Sequence, residues 1–396
     1  MDRNKKQVLI IGMAHLVQDI YPAFIPAITF LLKDKFSLSY FQITLILVCC
    51  RLPCLFNPLF GVISNKKIIK GMIVITPMLS SLFIGLLGLS PSYSIILLLA
   101  FLAGTSSQMF HVPSPVLVKR LSNRSPGKGM SVYMMGGELA RTIGPFLITW
   151  FLTILSFEKI YILSILGFLY SLFLLVVFKI EDEILDTNKE RNNLKQSWTL
   201  FYEKKDLLYT IAGATISKAF TASVVVSLVA MYLKESNYST FLSGNSLSIM
   251  ALASFFGVSI TGSLSDKVGR RIIILLSTIL SPILLIAILS SENHMLVVSL
   301  LLFGFVACST APVVITYVQE CASEIPSFSN GMYMTFNFLL TSIIVLLMGK
   351  VADIVGIKNA LYLSAMFSLF GFFIILTKTQ KLQMKDRQCL SEVNDG

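Results

Sequence analysis

The sequence predicts an all-α membrane protein of twelve transmembrane helices in two pseudo-symmetric six-helix bundles. Composition is the first observation: of 396 residues, 55% are hydrophobic and 13% charged, whereas a soluble domain carries about 25% charged residues. Second, apolar runs of roughly 20 residues recur along nearly the whole chain, with no ten-residue alternation that would argue for a barrel. Third, the chain repeats itself. "GVISNKKIIKG" from Gly61 returns as "GSLSDKVGRRIII" from Gly262, and "GMSVYM" from Gly129 returns as "GMYMTF" from Gly331. The two landmarks lie 201 and 202 residues apart, and six helices per half make the repeat parallel, its axis along the membrane normal.

Hydropathy places the helices at residues 7–32, 41–63, 68–89, 94–118, 128–155 and 159–178, then 207–233, 240–265, 271–290, 295–319, 328–350 and 359–377. The units are therefore a bundle over 1–178, a charged linker over 179–206, a bundle over 207–378 and a tail over 379–396. The linker reads as solvated chain, with a surface amphipathic helix clamping the halves as the alternative. Of the 32 basic residues, 23 fall on the side of the N terminus and 6 on the other, which puts both termini in the cytoplasm. The loop between the tenth and eleventh helices departs from this rule, holding Glu320 and Glu324 but no base. The formal charge of +11 reflects the same asymmetry and not nucleic-acid binding. The basic start is no cleaved signal, because His15 and Asp19 interrupt its apolar run. Six cysteines show neither metal-ligand spacing nor a disulfide framework and read as packing residues.

"GSLSDKVGRR" supplies a gate. Gly262 allows close helix approach, Asp266 can pair with a cation or a helix N terminus, and Arg270 and Arg271 anchor the loop, so that the segment latches the halves while the cytoplasmic side is shut. In the first half Asn65 replaces the acid, leaving a latch that is weaker or remade by Lys66 and Lys67. A third similar string, "GKVADIVGIKNA" from Gly349, falls at the outer end of the eleventh helix and reads as an external counterpart.

Ionisable groups at bilayer depth cost several kcal/mol unless they face a cavity or a partner, so each is a candidate site residue. His15 and Asp19, four apart, share one face of the first helix with Tyr21 near it, and Pro22 and Pro26 bend the helix beyond them. The pair suits proton binding and release; the rival reading is a satisfied polar pair holding the helix. Arg51 either faces a cavity or snorkels outward, and His111 sits in the proline-interrupted "FHVPSP". Glu138 and Arg141, three apart, form either a neutralised pair or a protonatable acid that frees its arginine for substrate. Lys218, deep in the seventh helix, either titrates or binds an anion. Three cations against two acids lean toward an anionic substrate.

"HLVQDIYP", "NPLFGVISN", "FHVPSP" and "GGELARTIGP" resemble the matching stretches of the fosmidomycin-resistance-like branch of the major facilitator superfamily, and "GSLSDKVGRR" resembles that superfamily's loop signature. The resemblance implies a proton-driven exporter of small molecules with a central cavity lined by His15, Asp19, Tyr21 and His111. Val112 between His111 and Pro113, Asn65 in place of the acid, and Glu138 with Arg141 depart from the branch pattern.

The function expected is proton/substrate antiport by alternating access, exporting a small anionic or amphiphilic compound. Asp19 and Glu138 carry protons with His15 tuning Asp19, and Tyr21, Arg51, His111, Arg141 and Lys218 contact substrate. Rivals are an importer or facilitator of an organic anion or sugar, and a non-transporting receptor or scaffold. The chain has no phosphate-binding glycine loop to place ATP, and nothing suggests an enzyme. The expected partners are a small-molecule substrate, protons and the lipid bilayer, acting on a monomer with no cofactor, metal or nucleic acid.

Overall fold

Prolines decide where these helices break, and glycines decide how closely they approach. The computed structural model describes residues 3–56, 66–122, 126–179, 194–322 and 326–376. The first span is helical over Arg3–Ala27 and, past a break at Ile28, over Thr29–Phe36. Pro22 and Pro26 remove two backbone donors just before that break. The second span comprises Tyr40–Arg51 and a tight turn Leu52–Phe56. The third is Lys66–Gly85 and the fourth Tyr93–His111 with Pro113–Leu121, the two segments parted at Val112. Pro126–Ile154 forms the fifth, and Phe157–Leu163 with Ser164–Val177 the sixth.

The second half matches. Its seventh span joins Lys205–Lys218 to Val224–Glu235 through a π-helical segment, Ala219–Ser223. The eighth is Thr240–Val268 and the ninth Arg270–Ser290. The tenth runs through Asn293–Phe303, a second π segment Gly304–Cys308, and Ala311–Cys321. Pro326–Val355 and Ile357–Leu376 close the bundle. Among the described residues, ten helices are long and apolar enough to cross a membrane, and Tyr40–Phe56 is a shorter apolar helix.

The linker is only partly the solvated chain expected. Leu194–Glu203 is helical, and its Phe201 is buried with Leu207, Ile211 and Ile273 of the second bundle. Residues 180–193 and the 379–396 tail lie outside the described residues.

Between the bundles, Phe146 of the fifth span meets Phe241 of the eighth with ring centroids 6.2 Å apart. Among the described residues, the hydrogen bonds and ion pairs that cross from one bundle to the other cluster at the end remote from the N terminus. There Asp353, at the end of the eleventh span, accepts hydrogen bonds from the backbone N–H groups of Tyr40 (2.6 Å) and Phe41 (3.2 Å), which open the second span. The next donor, Gln42 N–H, goes to Ser39 Oγ in a capping box. Thus the orphan donors of that helix start are met half by its own cap and half by the other bundle. Glu235 of the seventh span adds an ion pair to Lys33 at 3.3 Å and accepts from the Tyr40 hydroxyl at 2.6 Å. The string at Gly349 thus supplies, in Asp353, a latch on this face.

The gate expected at the opposite end is built differently. Arg270 pairs with Glu320 at 2.9 Å and donates to Ser265 Oγ at 2.6 Å, while Arg271 donates to the Ile375 carbonyl at 3.0 Å. Through these contacts both arginines tie their loop to the tenth and twelfth spans of their own bundle. Glu320 meeting Arg270 also gives the acidic tenth-to-eleventh loop its local countercharge. Asn65 and the side chain of Asp266 lie outside the described residues.

Candidate functional site

The first, fourth and fifth spans bring one acid and two imidazoles together. Asp19 Oδ2 lies 3.2 Å from His15 Nε2, and its Oδ1 lies 3.0 Å from His111 Nε2. Tyr133 of the fifth span holds both rings from behind. Its backbone carbonyl accepts from His15 Nδ1 at 2.7 Å, and its hydroxyl meets His111 Nδ1 at 3.2 Å. The Tyr133 and His15 rings stack with centroids 4.1 Å apart. Helical spacing put His15 over Asp19; the break at Val112 ends the fourth helix on His111, and so completes the cluster.

Protonation follows from the partners. A backbone carbonyl only accepts, so His15 Nδ1 carries hydrogen. A carboxylate likewise only accepts, so a second hydrogen on His15 would sit between Nε2 and Asp19 Oδ2, and without it two acceptors face each other at 3.2 Å. His111 Nε2 lies 3.0 Å from Asp19 Oδ1, which accepts no well-aligned hydrogen bond, and its Nδ1 meets the Tyr133 hydroxyl, contacts that a neutral ring can make. The cluster thus has a place for one proton beyond two neutral histidines and a carboxylate. The donor atoms of His15, Asp19 and His111 lie within 4.8 Å of one another, close enough to share a cation, and that proton serves the same electrostatic need.

Gly137 makes room for His15. A Cβ built there would lie 2.7 Å from both Cε1 and Nε2 of the imidazole. Gly137→Ala is therefore expected to cost about 1–3 kcal/mol through overpacking, whereas Gly71→Ala, with nothing within 4 Å, gains up to about 1 kcal/mol of helix propensity. Thermal unfolding of the two variants in detergent checks the contrast.

Tyr21 does not join this cluster, contrary to the expectation that it lines the cavity and contacts substrate. It stands two residues beyond Asp19, about 200° round the helix. Its hydroxyl donates to the Leu163 carbonyl and accepts from the Gly167 N–H, each at 2.9 Å, with the side chain 1% exposed. It pins the first span to the sixth.

The remaining candidates lie nearer the other bundle. Arg51 lines a cavity of about 300 Å³ with Pro26, Leu47, Val226, Ser227 and Thr341, drawn from both bundles. Glu138 and Arg141 form an ion pair at 2.6 Å. Lys218, across the interface, lies within electrostatic reach of Arg51, Arg141 and Glu138. The structure thus gathers His15, Asp19 and His111 in one cluster and sets Arg51, Glu138, Arg141 and Lys218 beside the space between the halves. Tyr133 is the site residue that sequence reasoning missed, although it lies inside the repeated string "GMSVYM".

Twelve spans in two bundles, with charged groups gathered between them, define a membrane transporter of the two-bundle class. The chain belongs to the Major Facilitator Superfamily, whose family model matches residues 8–261 and 211–387. It is similar to the fosmidomycin resistance protein of Escherichia coli (strain K12), with 26% identity over 92% of this chain and 91% of that one. The multi-drug resistance efflux pump PmrA of Streptococcus pneumoniae serotype 4 is 20% identical over 58% of each chain. Among solved structures, that of the nucleoside transporter NupG superposes with a TM-score of 0.76 at 12% identity, covering 96% of this chain and 100% of that one.

Proposed function

We propose that the protein is a proton-coupled secondary transporter of the cytoplasmic membrane, with both termini inside, exporting a small anionic or amphiphilic compound by alternating access. The observation that carries this reading is the approach of His15 Nε2 and His111 Nε2 to the two oxygens of Asp19, at 3.2 and 3.0 Å, which leaves a place for a proton between His15 Nε2 and Asp19 Oδ2. When it leaves, two acceptors face each other at 3.2 Å, and the carboxylate must seek other donors. The deprotonated carboxylate then leans on His111 of the fourth span, 3.0 Å from its other oxygen, so proton loss changes how the first and fourth spans hold together. Arg51, Arg141 and Lys218 give the space between the bundles a positive potential suited to an anion. Glu138 holds Arg141 until it takes up a proton of its own. The names of the two bacterial relatives, a resistance protein and an efflux pump, support export.

The test is flux in proteoliposomes. A ligand is first found by thermal-shift screening of anionic antibiotics and organic acids, because binding to the folded state raises its apparent stability. An imposed pH gradient is then expected to drive that ligand uphill, against the proton flow. Flux that is indifferent to the gradient and to a protonophore would overturn the coupling.

A further inference from the structure

A lysine inside the second bundle lacks the countercharge its depth demands. Lys218 ends the helix Lys205–Lys218 and lines a cavity of about 360 Å³ formed by the seventh, ninth, tenth and eleventh spans. Among the described residues it makes no hydrogen bond or ion pair. The hydroxyls of Ser217, Ser281, Thr310 and Tyr333 line the same cavity, and they too have no hydrogen-bond partner among the described residues. A cation at bilayer depth with no partner costs several kcal/mol. One cation with four uncommitted donors is what an oxyanion takes up.

Two further observations single out this place. The offset that relates Gly129 to Gly331 carries His15 to Ser217 and Asp19 to Thr221, both of which line the cavity. Thr310 stands two residues before the proline of the tenth span, as His111 does in the fourth, and Tyr333, like Tyr133, lies within the repeated glycine-methionine string, though two positions nearer its glycine. The cavity is therefore the second bundle's counterpart of the proton cluster, with hydroxyls and a lysine where the first has imidazoles and an acid. Both π segments, Ala219–Ser223 after Lys218 and Gly304–Cys308 before Thr310, border it, and such bulges concentrate at functional sites.

We infer that this cavity is an anion subsite: Lys218 and the hydroxyls of Ser217, Ser281, Thr310 and Tyr333 receive the carboxylate or phosphate-type headgroup of the transported compound. The assignment of that headgroup to the cargo rests on the transport reading above; the binding of an anion does not. Glu138 and Arg141 face Lys218 from the first bundle, and their ion pair leaves the lysine charge for the ligand.

The experiment uses the purified full-length protein in detergent and follows binding by thermal shift and calorimetry. Inorganic phosphate and benzoate serve as the two anion probes, with mannitol and choline as neutral and cationic controls. At least one anion is expected to bind and the controls are not. Lys218→Met is expected to weaken anion binding by about tenfold or more, about 1.4 kcal/mol, and Lys218→Arg to retain it. Ser281→Ala with Thr310→Val keeps the charge and is expected to lose several-fold, so the test survives a Lys218→Met protein that does not fold. Phosphate binding without benzoate assigns the site to phosphate-type groups, and the reverse to carboxylates. Equal anion affinity in the wild type and the folded variants, or equal binding of mannitol, overturns the subsite. Lys218-dependent anion binding without gradient-driven flux of any anion overturns the transport reading and leaves the subsite standing.

Discussion

In proteoliposomes, Asp19→Asn is expected to abolish gradient-driven flux while leaving exchange of ligand across the membrane intact. Asparagine keeps the shape of the carboxylate, and its amide can donate to His15 Nε2, which then needs no proton. The opposition of acceptors that links proton loss to how the first and fourth spans hold together disappears, and with it the dependence of ligand binding on pH. Couplings between two sites typically amount to about 5- to 150-fold in affinity. In the wild type the affinity for the exported ligand should fall by a factor of that order as the site fills with protons, and in Asp19→Asn the ratio should approach one. His111→Gln should act more weakly. His111 approaches Asp19 at 3.0 Å from a separate span, and glutamine can still offer a donor there.

Asp353→Ala is expected to shift the protein toward a state open at the end remote from the N terminus. Asp353 takes the first two N–H groups of the second span from the opposite bundle. Removing an acidic helix cap costs about 0.5–2 kcal/mol, and because this one reaches across the interface the cost falls on the latched state alone. The population ratio should then move by about 2- to 30-fold. Spin labels or dyes at the outer ends of the first and seventh spans report it as a longer distance. Ser39→Ala is the contrasting variant. Ser39 caps the same helix from within its own bundle, so its loss weakens the helix in every state and leaves the distance distribution unchanged. A distribution that is also unchanged in Asp353→Ala would remove the latch from the account.

Much of this was legible in the sequence because it depends on spacing along one helix. The pairing of His15 with Asp19 follows from a separation of four, the break near Ile28 from Pro26, and the two-bundle arrangement from the repeated strings. Angle was the missed cue for Tyr21: two residues past Asp19 is the far side of the helix, and the wheel alone places it against another span. Joining His111 and Tyr133 to the pair needed the packing of three helices, which no single-helix period encodes. The paired glycines of "GGELARTIGP" do not say what they face, and the structure shows that what approaches Gly137 is the His15 ring. The arginines after the eighth span showed charge without direction. Only the fold reveals that Glu320 receives Arg270.

The central claim is that one exchangeable proton lies between His15 and Asp19 and leaves when the exported compound binds. Calorimetry of ligand binding in buffers of different ionisation enthalpy counts that proton. Near the pH at which the cluster is loaded, the wild type is expected to release close to one proton per ligand bound, and Asp19→Asn none. Ligand binding that releases no proton from the wild type at any pH where the protein is folded would contradict the account.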